Sequence, residues 1–319
     1  MNAKLCKTSV SFLAILFALI LVTCGQTRAE AATPIRTEQP GVEKHSSINP
    51  LPTQPPSSPD RYKPYFKNNF VTVLKSGEWQ KYVLGPTSFD GGYVIDVTPL
   101  HSSVNGAHVE HKVLPEYDGE RWNDVLWMIL PEQAAPLRVN VRVYPITDWP
   151  VVFVEDLVLE PGVWQGYCLQ DAVQRAGYVI EINPKHPASF GARVEKTLIQ
   201  PEFPWGQWVD VLRVQIPGDQ PALEAQVKVY RTPDLPITAE FDAHLEPGVW
   251  HGFFVGLSRL KVGYVIEVTP LSQSDNQIER YTVQPEFDGQ TWNDVARLMI
   301  PADRPALDVN VRIYAISTK

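Results

Sequence analysis

In three places along this 319-residue chain a tryptophan is followed fourteen residues later by a tyrosine: Trp79 and Tyr93, Trp164 and Tyr178, Trp250 and Tyr264. Each tyrosine sits in the same run, GYVID (92–96), GYVIE (177–181) and GYVIE (263–267). A Pro-Glu-aromatic step comes next in each copy (Pro115-Glu116-Tyr117, Pro201-Glu202-Phe203, Pro285-Glu286-Phe287), and a second tryptophan lies six residues after its glutamate (Trp122, Trp208, Trp292). The period is 84 to 86 residues, so most of the chain is one module written three times. Propeller blades and trefoil units are about half that length, which argues against those rings.

Within each copy the apolar period is two, the mark of a strand with one face in a core. Leu137, Val139, Val141 and Val143 alternate with Arg138, Asn140, Arg142 and Tyr144. Leu223 to Tyr230 and Leu307 to Tyr314 repeat that pattern. In the first copy Tyr93, Ile95 and Val97 share a face opposite Val94, Asp96 and Thr98. Asp118-Gly119 and Asp288-Gly289 predict two-residue hairpins, whose central residues need positive φ. About six short strands per copy and no helical period predict an all-β fold of three tandem β-sandwich repeats of about 85 residues. They are read as residues 66–147, 148–233 and 234–319, with Trp79, Trp122 and their equivalents as core anchors. Short linkers ending in Asp148-Trp149-Pro150 and Asp234-Leu235-Pro236 favour docked neighbours, either as a rod or as a compact pseudo-threefold cluster.

Residues 1–31 read as a signal peptide: Lys4 and Lys7 precede an unbroken apolar run over 12–22, too short to span a bilayer. Leu21-Val22-Thr23-Cys24 resembles the bacterial lipoprotein box, in which Cys24 would be lipidated, although Thr23 stands where Gly or Ala is usual. Cleavage after Ala29-Glu30-Ala31 is the competing reading. Residues 32–65, rich in Pro, Ser and Thr, form an extended tether between signal and first repeat. The expected location is therefore outside the cell's inner membrane: cell surface or periplasm if Cys24 is lipidated, otherwise secreted. A lipid at Cys24 is the one membrane contact expected. Of three cysteines only Cys168 lies in the repeats, so no internal disulfide is expected, and its alignment with Val83 and Phe254 marks it as a small apolar residue.

The formal net charge of −8, made more acidic by loss of Lys4, Lys7 and Arg28 with the signal, argues against nucleic acid as partner. The chain has no G-x-S-x-G, H-E-x-x-H, P-loop or C-x-x-C. His101, His108 and His111 are absent from the other copies and read as solvated loop histidines, so neither metal nor cofactor is expected. Glu116, Glu202 and Glu286 precede the hairpin and Asp124, Asp210 and Asp294 follow it. Such pairs could serve glycoside hydrolysis. Three equivalent sites on adjacent strands fit better with Asp residues bonding turn amides and Glu residues on a rim. A further acidic set, Asp96, Glu181 and Glu267, is placed to pair across strands with Arg142, Lys228 and Arg312.

Trp127, Trp149 and Trp205 stand outside the repeated aromatic positions. Trp127 aligns with Arg213 and Arg297, on a face its sisters keep polar, and Trp205 falls at a hairpin tip. The segment 77–82 followed by Gly92-Tyr93-Val94 faintly resembles secreted carbohydrate-binding sandwiches, a permissive motif that assigns no family. The expected ligand surface is the polar sheet face bearing Arg142 and Tyr144, Lys228 and Tyr230, Arg312 and Tyr314, helped by Trp127 and Trp205. The same row would serve equally as a solvated face or a seam between docked repeats. The reading is an exported, non-catalytic binding protein for a glycan, whose repeated weak sites gain avidity. The alternative is an assembly protein contacting another envelope protein, and a glycoside-active enzyme comes third.

Overall fold

The computed structural model describes residues 68–317 except 88–90, 147, 170–176, 204–205, 261, 273–277 and 279. Cys24, the expected signal peptide and tether, and Trp205 lie outside the described residues. The fold is all-β: among the described residues eighteen strands build six three-stranded antiparallel sheets. The first copy contributes β1 (Asn68–Leu74), β2 (Gln80–Pro86), β3 (Gly92–Pro99), β4 (Glu110–Tyr117), β5 (Trp122–Ile129) and β6 (Leu137–Ile146). Next come β7 (Val151–Leu159), β8 (Gln165–Cys168), β9 (Tyr178–Pro184), β10 (Lys196–Glu202), β11 (Val209–Gln215) and β12 (Leu223–Arg231). The last six are β13 (Ile237–Leu245), β14 (His251–Leu257), β15 (Val262–Pro270), β16 (Arg280–Phe287), β17 (Trp292–Met299) and β18 (Leu307–Ser317).

Each set of six divides the same way. The first copy forms sheets of order β1-β6-β3 and β2-β5-β4, the second β7-β12-β9 and β8-β11-β10, the third β13-β18-β15 and β14-β17-β16. The last strand of each copy runs down the middle of its sheet, which is why it carries the longest alternation. Val139, Val141 and Val143 are wholly buried, and Leu74, Leu126 and Met128 from other strands join them in one core. The pleat sends alternate side chains to opposite faces, so one alternating strand can line a core on one side and stay polar on the other.

Two local expectations are corrected. The hairpin after Tyr117 is not a two-residue turn: Tyr117 pairs with Trp122, leaving four residues in the loop. Asp118 donates its own amide to the Arg121 carbonyl (3.1 Å), and its carboxylate accepts from the amides of Glu120 (2.8 Å) and Arg121 (2.9 Å), which closes the tip. Asp288 does the same for Gln290 and Thr291. These amide bonds, that to Thr291 first, hold the Asp288 carboxyl down at about 2. Turn amides are therefore bonded by the first Asp of the hairpin, and Asp124 and its equivalents are left for another role. The second correction concerns Trp79, Trp164 and Trp250, which are 38, 38 and 41 % exposed. Gly77, Gly162 and Gly248 hold φ of 68°, 71° and 69°, a left-handed turn that sets each indole beyond the core.

The three copies close into a ring. Trp122 Nε1 donates to the His186 carbonyl of the second copy (2.7 Å), Trp208 Nε1 to Ser272 of the third (2.9 Å), and Trp292 Nε1 back to His101 of the first (2.6 Å). The same tryptophans enter their neighbour's core: Trp122 packs with the second, Trp208 with the third and Trp292 with the first. Of the two arrangements left open by the linkers, the structure shows the pseudo-threefold cluster. Edges are covered in the same sense. The amide of Tyr117 at the β4 edge donates to the Ala192 carbonyl (2.8 Å), and that of Phe287 at the β16 edge to Ala107 (2.7 Å). Pairing an edge with the next copy satisfies backbone groups that an isolated sheet would leave open.

β3, β9 and β15 meet on the axis of this ring. Their close approach depends on the glycine of each GYVI run. A Cβ on Gly92 would lie 2.4 Å from Val179 Cγ1, one on Gly177 2.4 Å from Val265 Cγ1, and one on Gly263 2.7 Å from Val94 Cγ1. Each copy thus seats its glycine on the next copy's valine, first on second, second on third, third on first.

Candidate binding surfaces

Trp164 stands at the entrance to β8, on the outward face of the β8-β11-β10 sheet. The register places Gly166, Arg213 and Leu198 in one row across this face. Arg213 grips Glu202 with a two-bond fork, Nε to Oε1 at 2.8 Å and Nη2 to Oε2 at 2.6 Å, and Gln200 adds a third bond to Glu202 at 2.6 Å. The guanidinium lies flat over Gly166, where a Cβ would come within 2.8 Å of Nη1. The third copy repeats the arrangement with Trp250, Gly252, Arg297, Gln284 and Glu286. Desolvation pushes the Glu286 carboxyl up, but the Arg297 and Gln284 bonds outweigh it, and the net shift is downward.

In the first copy the same position is solved differently. Trp127 stands in place of the arginine, and Lys81, in place of the glycine, reaches Glu116 at 2.5 Å. The Lys81 ammonium also lies 4.3 Å from the Trp127 ring centre. Trp79 meets Trp127 edge-on at 6.4 Å, with Lys112 4.9 Å from the Trp79 ring centre. Arginine needs a glycine beneath it, and tryptophan frees that position for a lysine. The alignment of the three copies sets Trp127 against Arg213 and Arg297; the change from glycine to Lys81 that goes with it emerges from the strand register.

Each outward face therefore offers an exposed indole plane about two residues, or 6–7 Å of strand, from a charged pair. A two-bond fork leaves three of the five guanidinium N–H groups and several carboxylate lone pairs for other partners. Exposed Val83 and Phe254 and half-buried Cys168 occupy the next equivalent position along the edge strands β2, β14 and β8.

The polar face named in the sequence reading lies elsewhere and is covered. Tyr144, Tyr230 and Tyr314 are buried, at 1, 3 and 7 % exposure, as is Arg142. Arg142 Nη1 donates to Asp96 Oδ2 at 2.7 Å, Lys228 approaches Glu181 at 3.6 Å, and Tyr314 donates to Glu267 at 2.6 Å. Tyr230 likewise donates to Glu181, whose Oε2 also accepts the Gly91 amide of the neighbouring copy at 3.0 Å. Arg312 stands opposite Glu267, as expected, but donates to Glu240 on its other side at 2.8 Å. The row is thus a seam between repeats rather than a wet surface. Alternation along a strand identifies a polar face, but only the ring closure decides that a neighbour covers it.

Asp124, Asp210 and Asp294 mark a second junction. Tyr93 donates to Asp124 and Tyr178 to Asp210, both at 2.9 Å, each bond crossing between the two sheets of one copy. Asp294 accepts from Ser258 at 2.7 Å and from Tyr264. Desolvation pushes Asp210 and Asp294 up to about 6; their hydroxyl donors pull the other way, while Glu267 and Asp96 of the following copy add to the rise. The register also separates the carboxylates weighed for hydrolysis. Asp124 stands opposite Pro115 and Glu116 opposite Asn123, on alternate faces of the sheet, and the second copy repeats this with Asp210 opposite Pro201.

His108 pairs with Glu110 at 3.0 Å, but His111 is not the solvated loop residue expected. It stands on β4 opposite Met128, facing inward, and desolvation pushes its pKa down to about 4. Among the described residues no group of three His, Cys, Asp or Glu side chains is placed to hold a metal. Trp149 is buried. Compared with protein-family models, curated proteins and solved structures, the chain shows no match.

Proposed function

We propose that this is an exported, surface-associated and non-catalytic binding protein whose three repeats are small β-sandwiches presenting equivalent glycan sites. The observation that carries the reading is the threefold exposure of Trp79, Trp164 and Trp250 beside hydrogen-bonding charged groups. An exposed indole stacks on the C–H face of a sugar ring while neighbouring donors and acceptors meet its hydroxyls. Three such sites on one rigid ring raise avidity without new contacts, provided that the ligand spans them.

The test is a glycan array probed with the full mature chain and with a variant carrying Trp79→Ala, Trp164→Ala and Trp250→Ala. These side chains lie outside the packed core, so the melting temperature should stay within a few degrees. Binding to the best glycan should fall at least tenfold, as expected for losing stacking of about 1.5 kcal/mol or more. Undiminished binding by a folded triple variant refutes the site. A second reading, contact with another envelope protein, is favoured by exposed Val83 and Phe254 beside the same indoles, since patches of that kind mark protein contacts. Loss of a co-purifying protein in the triple variant, with no glycan bound by the parent, is the outcome that selects it.

Surface association rests on Cys24 and the proline-rich tether behind it. Cys24→Ala should move the protein from the membrane fraction to the soluble one, read by fractionation and by the mass of the mature amino terminus. A parent protein beginning at Ala32 replaces anchoring with plain secretion.

A further inference from the structure

On the seam face the second copy departs from its sisters at two neighbouring positions. The register sets Arg142 opposite Asp96 and Asn140 opposite Thr98 in the first copy, and Arg312 opposite Glu267 and Asn310 opposite Thr269 in the third. The second copy has Lys228 opposite Glu181 and Gln226 opposite Asn183. Lysine thus stands for arginine, and asparagine for threonine, in the same copy. Thr98 donates to Asp96 at 3.1 Å and Thr269 to Glu267 at 3.2 Å, as the Asn183 amide does to Glu181. Satisfying the carboxylate therefore requires neither exchange. What the two exchanges bring together is an amine and a carboxamide, a nucleophile and an acyl group, beside one carboxylate.

That carboxylate divides its oxygens between two tasks. Glu181 Oε2 accepts from the Gly91 amide at 3.0 Å and from the Tyr230 hydroxyl, which fixes the plane of the group. Its Oε1 faces Lys228 Nζ at 3.6 Å and accepts from Asn183 Nδ2. One oxygen is therefore within reach of both the amine that attacks and the amine that leaves. The surroundings are dry: the Glu181 side chain is 4 % exposed and that of Lys228 16 %. The Asn183 Oδ1 is buried and meets no hydrogen-bond partner. Desolvation disfavours an ammonium and a carboxylate alike, so a proton can pass from one to the other. The neutral lysine amine that remains is a nucleophile.

We propose that Lys228 and Asn183 condense to an intramolecular isopeptide bond, with Glu181 as the proton shuttle. The Lys228 ammonium gives one proton to Glu181 Oε1, and the freed Nζ lone pair attacks Asn183 Cγ. The tetrahedral carbon then expels Nδ2, which takes that proton back from Glu181. Ammonia leaves and carries off the second proton lost by Nζ, as ammonium. One C–N bond forms, one breaks, the carboxylate is regenerated, and neither oxidant nor further reactant is consumed. The product ties β9 to β12, the middle strand of its sheet, at the seam where Glu181 holds the Gly91 amide of the first copy. The repeats contain a single cysteine, so a disulfide cannot serve that purpose. The bond is independent of the outward tryptophan faces and of their ligand.

Intact mass and peptide mapping of the full mature chain, denatured after purification, test this directly. The parent is expected to be lighter than its sequence by one ammonia, about 17 Da. Its tryptic map should contain a branched peptide joining residues 228 and 183, with no cleavage after Lys228. Lys228→Arg and Asn183→Thr install the residues that the sister copies carry, so both should fold, recover the full mass and lose the branched peptide. Glu181→Gln keeps both partners but removes the shuttle, and the branched fraction should fall at least about tenfold. A folded parent at full sequence mass overturns the proposal. So does ammonia loss without a branched peptide, a branch through any other pair, or an undiminished branch in Glu181→Gln. Should Glu181→Gln not fold, the parent and Lys228→Arg maps decide the matter between them.

Discussion

Gly177→Ala is expected to destabilise the protein by roughly 3 kcal/mol, the upper part of the range for overpacking a close contact. Its new methyl would lie 2.4 Å from Val265 Cγ1 and 3.4 Å from the Ile266 carbonyl, on a strand that cannot retreat without leaving its own sheet. The same substitution on a free sheet surface would have little effect, so the loss measures the seam between repeats. Val265→Ala in the same chain removes the atom that is struck. The double variant should recover most of the stability lost by Gly177→Ala, beyond what two independent changes would give. Gly92→Ala should behave alike at the next seam, where Val179 Cγ1 lies 2.4 Å away, with Val179→Ala as its rescue. Chemical denaturation of the four chains at each seam supplies the cycle. An unaltered midpoint for both single glycine variants is incompatible with a closed ring, because an open arrangement leaves these glycines with nothing to strike.

Asp294→Asn, in contrast, is expected to stabilise the protein by about 3 kcal/mol at pH 8 and to have little effect near pH 3. The carboxyl is buried and raised from 3.8 to about 6, chiefly by desolvation, with Asp96 adding to the rise. About two units correspond to ~3 kcal/mol between the protonation states. Between pH 3.8 and 6 the folded protein holds a proton that the unfolded chain has released. Stability contributed by this group is therefore full below the unfolded value and falls as pH rises through 6. An amide stays uncharged throughout, and its oxygen can still accept from Tyr264 or Ser258. His111 acts with the opposite sign: lowered to about 4, it adds stability as pH rises from 4 towards its unfolded value of 6.5. Subtracting parent from variant at each pH cancels that contribution and isolates Asp294. Equal stability of the two chains at pH 8 refutes the buried-carboxylate account.

The first of these predictions concerns a contact between repeats, where reading the chain alone is weakest. The alternation from Leu137 to Tyr144 could be assigned to a strand because the pleat imposes its period locally. The same alternation separated Val139, Val141 and Val143, which are buried in the core, from the polar row with Arg142 and Tyr144. It could not say that Gly263 of the third copy lies against Tyr144. Likewise, equal spacing marked the two tryptophan positions as structurally equivalent, yet one enters a neighbour's core and the other stands outside. Spacing reports where a residue lies along the fold, and burial depends on what comes to rest against it.

Local periodicity and threefold repetition thus determined the all-β class, the strand segments, their inward residues and the alignment of Trp127 with Arg213 and Arg297. Those properties follow from backbone geometry acting over a few residues, and they hold whatever the repeats do next. Tertiary structure decided the rest: which polar face became a seam, which indoles reached solvent, and that Tyr93 crosses between sheets to Asp124. It also decided that Trp292, 191 positions further along the chain, returns to the His101 carbonyl and closes the ring. Closure is a property of three interfaces satisfied together, and no segment short enough to show a pattern contains it.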